Sequence, residues 1–224
     1  MKAFEKLCAA IIKDQPDEVG RILTQDSHLG EQRVREAWLD PALVHWIYVG
    51  DTPLLMAAAG YRVEIMRLLL DTGADPNTTG THRNARPLHY AADGSLESPA
   101  WDPNRQVKAS RLLLKAEAEL NARDKNGATA LHRAVRTRCA AAVKCLLKAG
   151  ADPETRNKPG STPFHLAVQD TGRGGSGTNQ ARAAQWEIIQ AFLDRKVPVT
   201  LKDGKGKTVL ECARSEAVRG MLKG

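Results

Sequence analysis

An all-α solenoid of about six stacked antiparallel helix pairs is the fold class this sequence predicts, and three observations carry that reading. A short pattern, Thr-Pro-Leu-His, recurs: near-intact in Thr162-Pro163-Phe164-His165 and Pro87-Leu88-His89, recognisable in Thr129-Ala130-Leu131-His132 and Thr52-Pro53-Leu54-Leu55, and faint in Thr208-Val209-Leu210-Glu211. The proline position falls at 53, 87, 130, 163 and 209, so the gaps of 34, 43, 33 and 46 are one unit of 33 lengthened twice by insertions. Behind each motif come small residues and then an apolar run at helical spacing, as in Val63-Glu64-Ile65-Met66-Arg67-Leu68-Leu69-Leu70. Self-similarity at a fixed period means stacked units that shield one another, not one globular core.

The chain opens with a helix pair, Phe4 to Lys13 and Pro16 to Gln25, that lacks the motif and reads as an N-terminal capping unit. Residues 26–50 form a longer connection in which Glu31 to Leu39 reads as a helix. Its Trp38, Trp46, Ile47 and Tyr48 are expected to seal the end of the stack. From residue 51 to 224 the units follow one plan. Thr52, Thr129 and Thr162 are helix N-caps, and Pro53, Pro87 and Pro163 take the first helical position, where a missing N–H costs nothing. His89, His132 and His165, one turn in, can bond back to the threonine or to a neighbouring unit's backbone. Small pairs such as Ala57-Ala58 and Ala91-Ala92 let a second helix approach closely, and that helix ends at a glycine stop such as Gly73 or Gly150. The two insertions, near 94–106 and 171–183, fall between the first and second helices of their units. The last pair, Thr208 to Arg214 and Glu216 to Leu222, is short and charged, as suits a C-terminal cap.

On these motifs the chain resembles the ankyrin repeat family, clearly over about residues 51 to 224 and more weakly before. The resemblance implies a curved stack with projecting hairpin loops, one continuous domain comprising a cap at 1–50 and repeats at 51–224. It also implies a non-catalytic scaffold that binds another macromolecule through its concave face and loops. Against the family pattern, Tyr61 and Arg138 stand where a glycine usually separates the two helices, so those turns are expected to be tight or strained. Leu55 and Glu211 replace the motif histidine, which weakens the hydrogen-bond network of the end units. Arg133 occupies an inward position where the other units have Met56, Tyr90, Leu166 and Cys212, so it must reach an acidic group or the rim.

Composition narrows the function. Aromatics are 4% of the chain, too few for a large layered core but enough for small Leu/Ala/Val interfaces. No apolar run approaches the length of a membrane span, and residues 1–6 carry no apolar signal region, so a cytoplasmic monomer is expected. Cys8, Cys139, Cys145 and Cys212 have no metal or disulfide spacing and read as free thiols, with Cys145 and Cys212 facing inward. The motif histidines are held a repeat apart and do not converge on a metal; no nucleophile–base pair appears, and neither catalysis nor a cofactor is expected. The segment Gly172-Arg173-Gly174-Gly175-Ser176-Gly177 lacks the Gly-Lys-Ser/Thr ending of a phosphate loop and follows a helix; it reads as a tether.

Charge divides the chain. Residues 1–120 hold 14 Lys/Arg and 17 Asp/Glu, a net of −3, whereas residues 121–224 hold 19 and 9, a net of +10. In the basic half cations recur at equivalent loop positions: Arg123 and Lys125, Arg156 and Lys158, Lys202 and Lys205, with His82 and Arg83 in the preceding loop. Stacking would align them, with Arg136 nearby, into a positive ridge that steers an acidic protein surface. A solvated edge is the plainer reading of the same residues. Trp101, in the first insertion, either anchors a partner or folds down to pin its own loop. Nucleic-acid binding by the basic half is the alternative, although the loops lack interleaved aromatics and no recognition-helix module is visible. A regulatory module acting on an enzyme encoded elsewhere is the third reading.

Overall fold

The computed structural model describes residues 3–37, 40–43, 46–81, 83–96, 98–169 and 178–224. Among them the regular structure is helical, apart from isolated bridge residues at Ile47 and at the antiparallel pair Lys202 and Thr208. The fold class is all-α, of the ankyrin-type solenoid. The chain divides into two compact units, Met1–Ala91 with Ser98–Glu119, and Ala92–Glu97 with Leu120–Gly224.

In the first unit α1 (Ala3–Ile12) pairs with α2 (Pro16–Gln25), and α3 (Pro53–Ala59) with α4 (Val63–Asp71); α5 (Pro87–Ala92) and α6 (Pro103–Lys115) follow. First helix packs on first helix, α1 on α3, and second on second, α2 on α4 and α4 on α6. Every side chain of α3 is buried, which is why its sequence is Pro-Leu-Leu-Met-Ala-Ala-Ala. The expected tight turn is present: Tyr61 is fully buried at φ 52°. That left-handed backbone is unusual for a residue carrying a Cβ. The next residue, Arg62, ties three segments together by donating to the carbonyls of Ile12 (2.8 Å) and Ala42 (3.0 Å) and pairing with Asp14 (3.5 Å).

The connection departs from expectation. Over its described residues the segment expected as a helix, Glu31 to Leu39, is not helical; the helical turn is a short 3-10 segment, Ser27–Gly30, capped by Asp26. Val34 N donates to Asp51 O and Gly50 N to Val34 O, both at 2.8 Å. This exchange leaves Val34 buried and takes it out of any i to i+4 ladder. Ile47 is buried as expected and Tyr48 half-buried, but Trp46 is 50% exposed and does not seal an end; Trp38 and Leu39 lie outside the described residues.

In the second unit α7 (Ala130–Arg136) pairs with α8 (Ala140–Lys148), α9 (Pro163–Ala167) with α10 (Asn179–Leu193), and the short α11 (Val209–Cys212) is followed by α12 (Glu216–Lys223). Here α7 packs on α9, α8 on α10, and α9 on α11. Phe164 and Phe192 stack between the layers, centroids 4.8 Å apart. The inserted segments are partly helix. Thr178 caps α10 and Asp102 caps α6, so these helices reach 15 and 13 residues, against 9 in α4 and α8. Residues 170–177 lie outside the described residues.

His132 and His165 do both jobs the sequence allowed. His132 Nδ1 accepts from Thr129 N (3.2 Å), which places its proton on Nε2, and Nε2 donates to Ser161 O of the next unit (3.1 Å). His165 repeats this with Thr162 N (3.4 Å) and Lys207 O (3.2 Å), and His89 Nδ1 accepts from Arg86 N (3.1 Å). In the last unit Glu211 does not weaken the cap: its carboxylate accepts from Thr208 N (2.7 Å) and closes the same box. At Leu55 only the threonine half remains, with Thr52 Oγ1 accepting from Leu55 N at 3.5 Å. Cys8, Cys139 and Cys145 are buried free thiols and Cys212 is half-buried; burial pushes the Cys8 thiol up to about 12.

Burial lowers His132 to about 4, so an unfolded chain takes up a proton near 6.5 that the fold rejects. Burial also raises Asp51 to about 6, against the hydrogen bonds of Tyr48 N and Tyr90 Oη and the charge of Arg33, so the fold takes up a proton there first. The signs are opposite across one window. Urea titrations at pH 7 and 5 should show His132→Gln abolishing an acid-induced loss of about 2 kcal/mol, and Asp51→Asn abolishing an acid-induced gain of about 1 kcal/mol. Parallel pH slopes in wild type and both variants would refute the assignment.

Candidate protein-interaction surface

The sequence's candidate cations in the second unit sit on three hairpin tips built on one plan. Asp124 N donates to Ala128 O (2.8 Å), and Gly127 N donates back to Asp124 O (2.8 Å). Asp203 does the same with Lys207 O (2.7 Å) and Gly206 N (3.0 Å), and Asn157 with Ser161 O (3.0 Å) and Gly160 N (2.8 Å). The side chain of the first residue then completes each turn. Asp124 Oδ1 accepts from Asn126 N and Ala128 N, Asp203 Oδ1 from Lys205 N and Lys207 N, and Asn157 Oδ1 from Ser161 N. These are the local side-chain bonds for which Asp and Asn are favoured in turns.

The tips are also fastened to one another. Lys158 N donates to Asn126 O at 2.9 Å, and the Arg123 guanidinium donates to the Arg156 carbonyl. Gly160, at φ 85°, lies so close to the third tip that an added Cβ would stand 2.4 Å from Gly204 Cα. Only glycine fits there, and the contact holds the second and third tips in register. Arg123, Lys125, Arg156, Lys158, Lys202 and Lys205 are all exposed. None has an ion-pair partner among the described residues. Lys207, exposed on the third tip, belongs with them and was not singled out from the sequence.

The other candidates are placed differently. Arg136 is half-buried and faces the Asp93 carboxylate at 3.6 Å, so its charge is largely answered. Arg83 and Trp101 belong to the first unit and are half-buried. The Trp101 indole N–H donates to the buried Gln106 Oε1 at 3.1 Å, which supports its reading as a pin for its own loop. His82 lies outside the described residues.

Arg133 meets its predicted requirement. It is 4% exposed and bonds Asp124 Oδ2 at 2.8 Å, with Asp93 at 3.6 Å. Burial alone would raise the Asp124 carboxyl. The Arg133 bond and charge, with the Ala128 and Asn126 amides, outweigh it and hold Asp124 below the usual carboxylate range. The buried arginine thus anchors the first tip from beneath. Arg138, at φ 60° and 2% exposed, donates to Ala167 O at 3.0 Å and to Gln169 O. Buried Gln185 donates to the same two carbonyls at 2.9 and 3.2 Å. The sequence did show Asp or Asn three residues ahead of glycine at 124, 157 and 203, a signal for the tips. It had none for Asp93 or Gln185, which no repeat spacing marks.

Among the described residues no group of three His, Cys, Asp or Glu side chains could hold a metal, and no helix is long and apolar enough to cross a membrane. The family model for the ankyrin repeat matches residues 49–81, and the model for ankyrin repeats in many copies matches residues 113–167. Both matched stretches are ankyrin repeats. The chain is similar to NF-kappa-B inhibitor delta of Mus musculus, 38% identical over 86 residues, which is 38% of this chain and 24% of that protein. The chain therefore matches about a quarter of that relative's length. The matched ankyrin stretch at 113–167 contains the first two tips and Arg133. The third tip lies beyond it and joins the series through its bonding pattern.

Replacing Arg133 with Met leaves buried Asp124 without its cation, a change that typically removes about 3 to 5 kcal/mol. Urea denaturation should show a loss of that order, with Asp124→Asn/Arg133→Met recovering part of it. A loss under about 1 kcal/mol would remove Arg133 as the anchor of the tip.

Proposed function

We propose that this chain is a non-catalytic protein-interaction scaffold whose second unit captures an acidic protein surface along the hairpin-tip ridge. The observation that carries the reading is the register of the three tips: hydrogen bonds and a glycine contact hold them side by side while six cations project unpaired. A flexible basic loop would lose side-chain and backbone entropy on binding; tips already bonded to one another have less to lose. Such a field raises encounter rates more than affinity and weakens with salt. The pinned Arg123 contributes charge with little freedom, and the exposed lysines at 125, 158, 202 and 205 are the adaptable contacts. Arg136, its charge largely answered by Asp93, is a secondary contributor, and Arg83 and Trp101 are candidates within the first unit.

The mouse relative is by name an inhibitor of another protein, which favours a regulatory form of the same reading: occupancy of a partner's surface without chemistry. A cytoplasmic monomer belongs to this proposal. The test is affinity capture at moderate salt from the native organism with wild type and with Arg123→Glu/Lys125→Glu/Arg156→Glu/Lys158→Glu. Capture should fall by at least about tenfold while the thermal midpoint is unchanged. Unchanged capture discards the ridge. Tight binding of mixed-sequence oligonucleotides, falling steeply as salt rises, would transfer the ridge to nucleic acid.

A further inference from the structure

A second charged surface lies in the first unit, on the face formed by second helices. Between α4 and α6 runs an open groove of about 690 Å³. Half-buried Val63, Leu70 and Leu112 supply its apolar lining, and Lys108, Arg111 and Lys115 stand along its α6 wall. Those three positions, spaced i, i+3 and i+7, share one helix face and span about 10 Å. None has an ion-pair partner among the described residues. The fourth cation of α6, Arg105, is committed to Asp14, and α6 itself contains no acidic residue. On the α4 wall Arg67 and Glu64 pair with each other at 3.5 Å, and Asp71 makes no ion pair among the described residues.

The corresponding helix pair in the second unit shows what closing such a groove from within looks like. There Lys144 of α8 meets Glu187 of α10 at 2.6 Å. Among the described residues the α4/α6 groove has no such bridge, although residues 1–120 carry more Asp/Glu than Lys/Arg. Three unpaired cations against the one unpaired carboxylate of Asp71 leave the groove net positive beside an apolar floor, within a net-acidic stretch, an arrangement suited to an outside ligand.

We propose that this groove docks an acidic amphipathic helix of a partner protein, its apolar face on Leu70 and Leu112 and its carboxylates against Lys108, Arg111 and Lys115. Charge complementarity selects the sign, and the spacing of the cations matches carboxylates at i, i+3 or i+4, and i+7 of a facing helix. The site is separate from the hairpin-tip ridge and does not rest on it.

The test is fluorescence anisotropy on the full chain with a labelled peptide of about 15 residues, Leu on one helical face and Glu on the flanks. The controls are a scrambled peptide of the same composition and a short DNA duplex. The designed peptide should bind at least about tenfold more tightly than either control. Lys108→Glu/Arg111→Glu/Lys115→Glu should remove the binding without moving the thermal midpoint, and the four-glutamate ridge variant should leave it intact. Leu112→Gln, with folding confirmed by circular dichroism, should also weaken it. Equal binding of the scrambled peptide or the duplex would overturn the proposal, as would failure to bind, or loss of binding in the ridge variant alone.

Discussion

A neutral imidazole bonded at both nitrogens is the constraint on which the second unit depends. His132 and His165 each receive a bond at Nδ1 from their own helix cap and donate from Nε2 to a carbonyl of the next hairpin tip. Burial keeps both rings neutral, and neutrality is what allows one nitrogen to accept while the other donates. A protonated ring would have two donors and face the cap amide with the wrong polarity. Helix start and inter-repeat spacing are therefore one interaction. At Glu211 the carboxylate supplies the capping half.

The tips inherit their order from that spacing. Once the helices are set one repeat apart, tips of similar sequence lie side by side, and the Lys158 to Asn126 and Arg123 to Arg156 bonds can form. Beneath the first tip, Asp124 serves two structures at once: one carboxylate oxygen shapes the turn, and the other holds buried Arg133. A surface loop is in this way tied to the interior by a charge pair. That geometry suits recognition, since it presents cations without leaving their backbone free to move.

What escaped the sequence has physical reasons. The stretch after Glu31 looked helical from its local pattern, yet Val34 exchanges backbone bonds with residues 50 and 51, partners about 16 positions away that periodicity cannot register. The two insertions looked like loops because they broke the 33-residue period. Part of each lengthens a second helix, because Asp102 and Thr178 cap new first turns inside the added residues. Trp101 was ambiguous from sequence for want of a partner, and Gln106 supplied one through a hydrogen bond one helical turn away. The α4/α6 groove was invisible for another reason: its two walls come from separate repeats, and a row of cations on one helix gains meaning only beside its neighbour.

The sequence by itself determined the repeat unit, the capping chemistry and the identity of the basic residues. Each of these is local, resting on residues within a few positions of one another and on the spacing between copies. It also required Arg133 to find a carboxylate, since burying an unpaired guanidinium is prohibitive. The tertiary structure alone decided which carboxylates, which tips touch, and which cations remain unanswered. Those outcomes depend on distances between residues far apart in the chain, and only packing brings such residues within reach of a hydrogen bond or an ion pair.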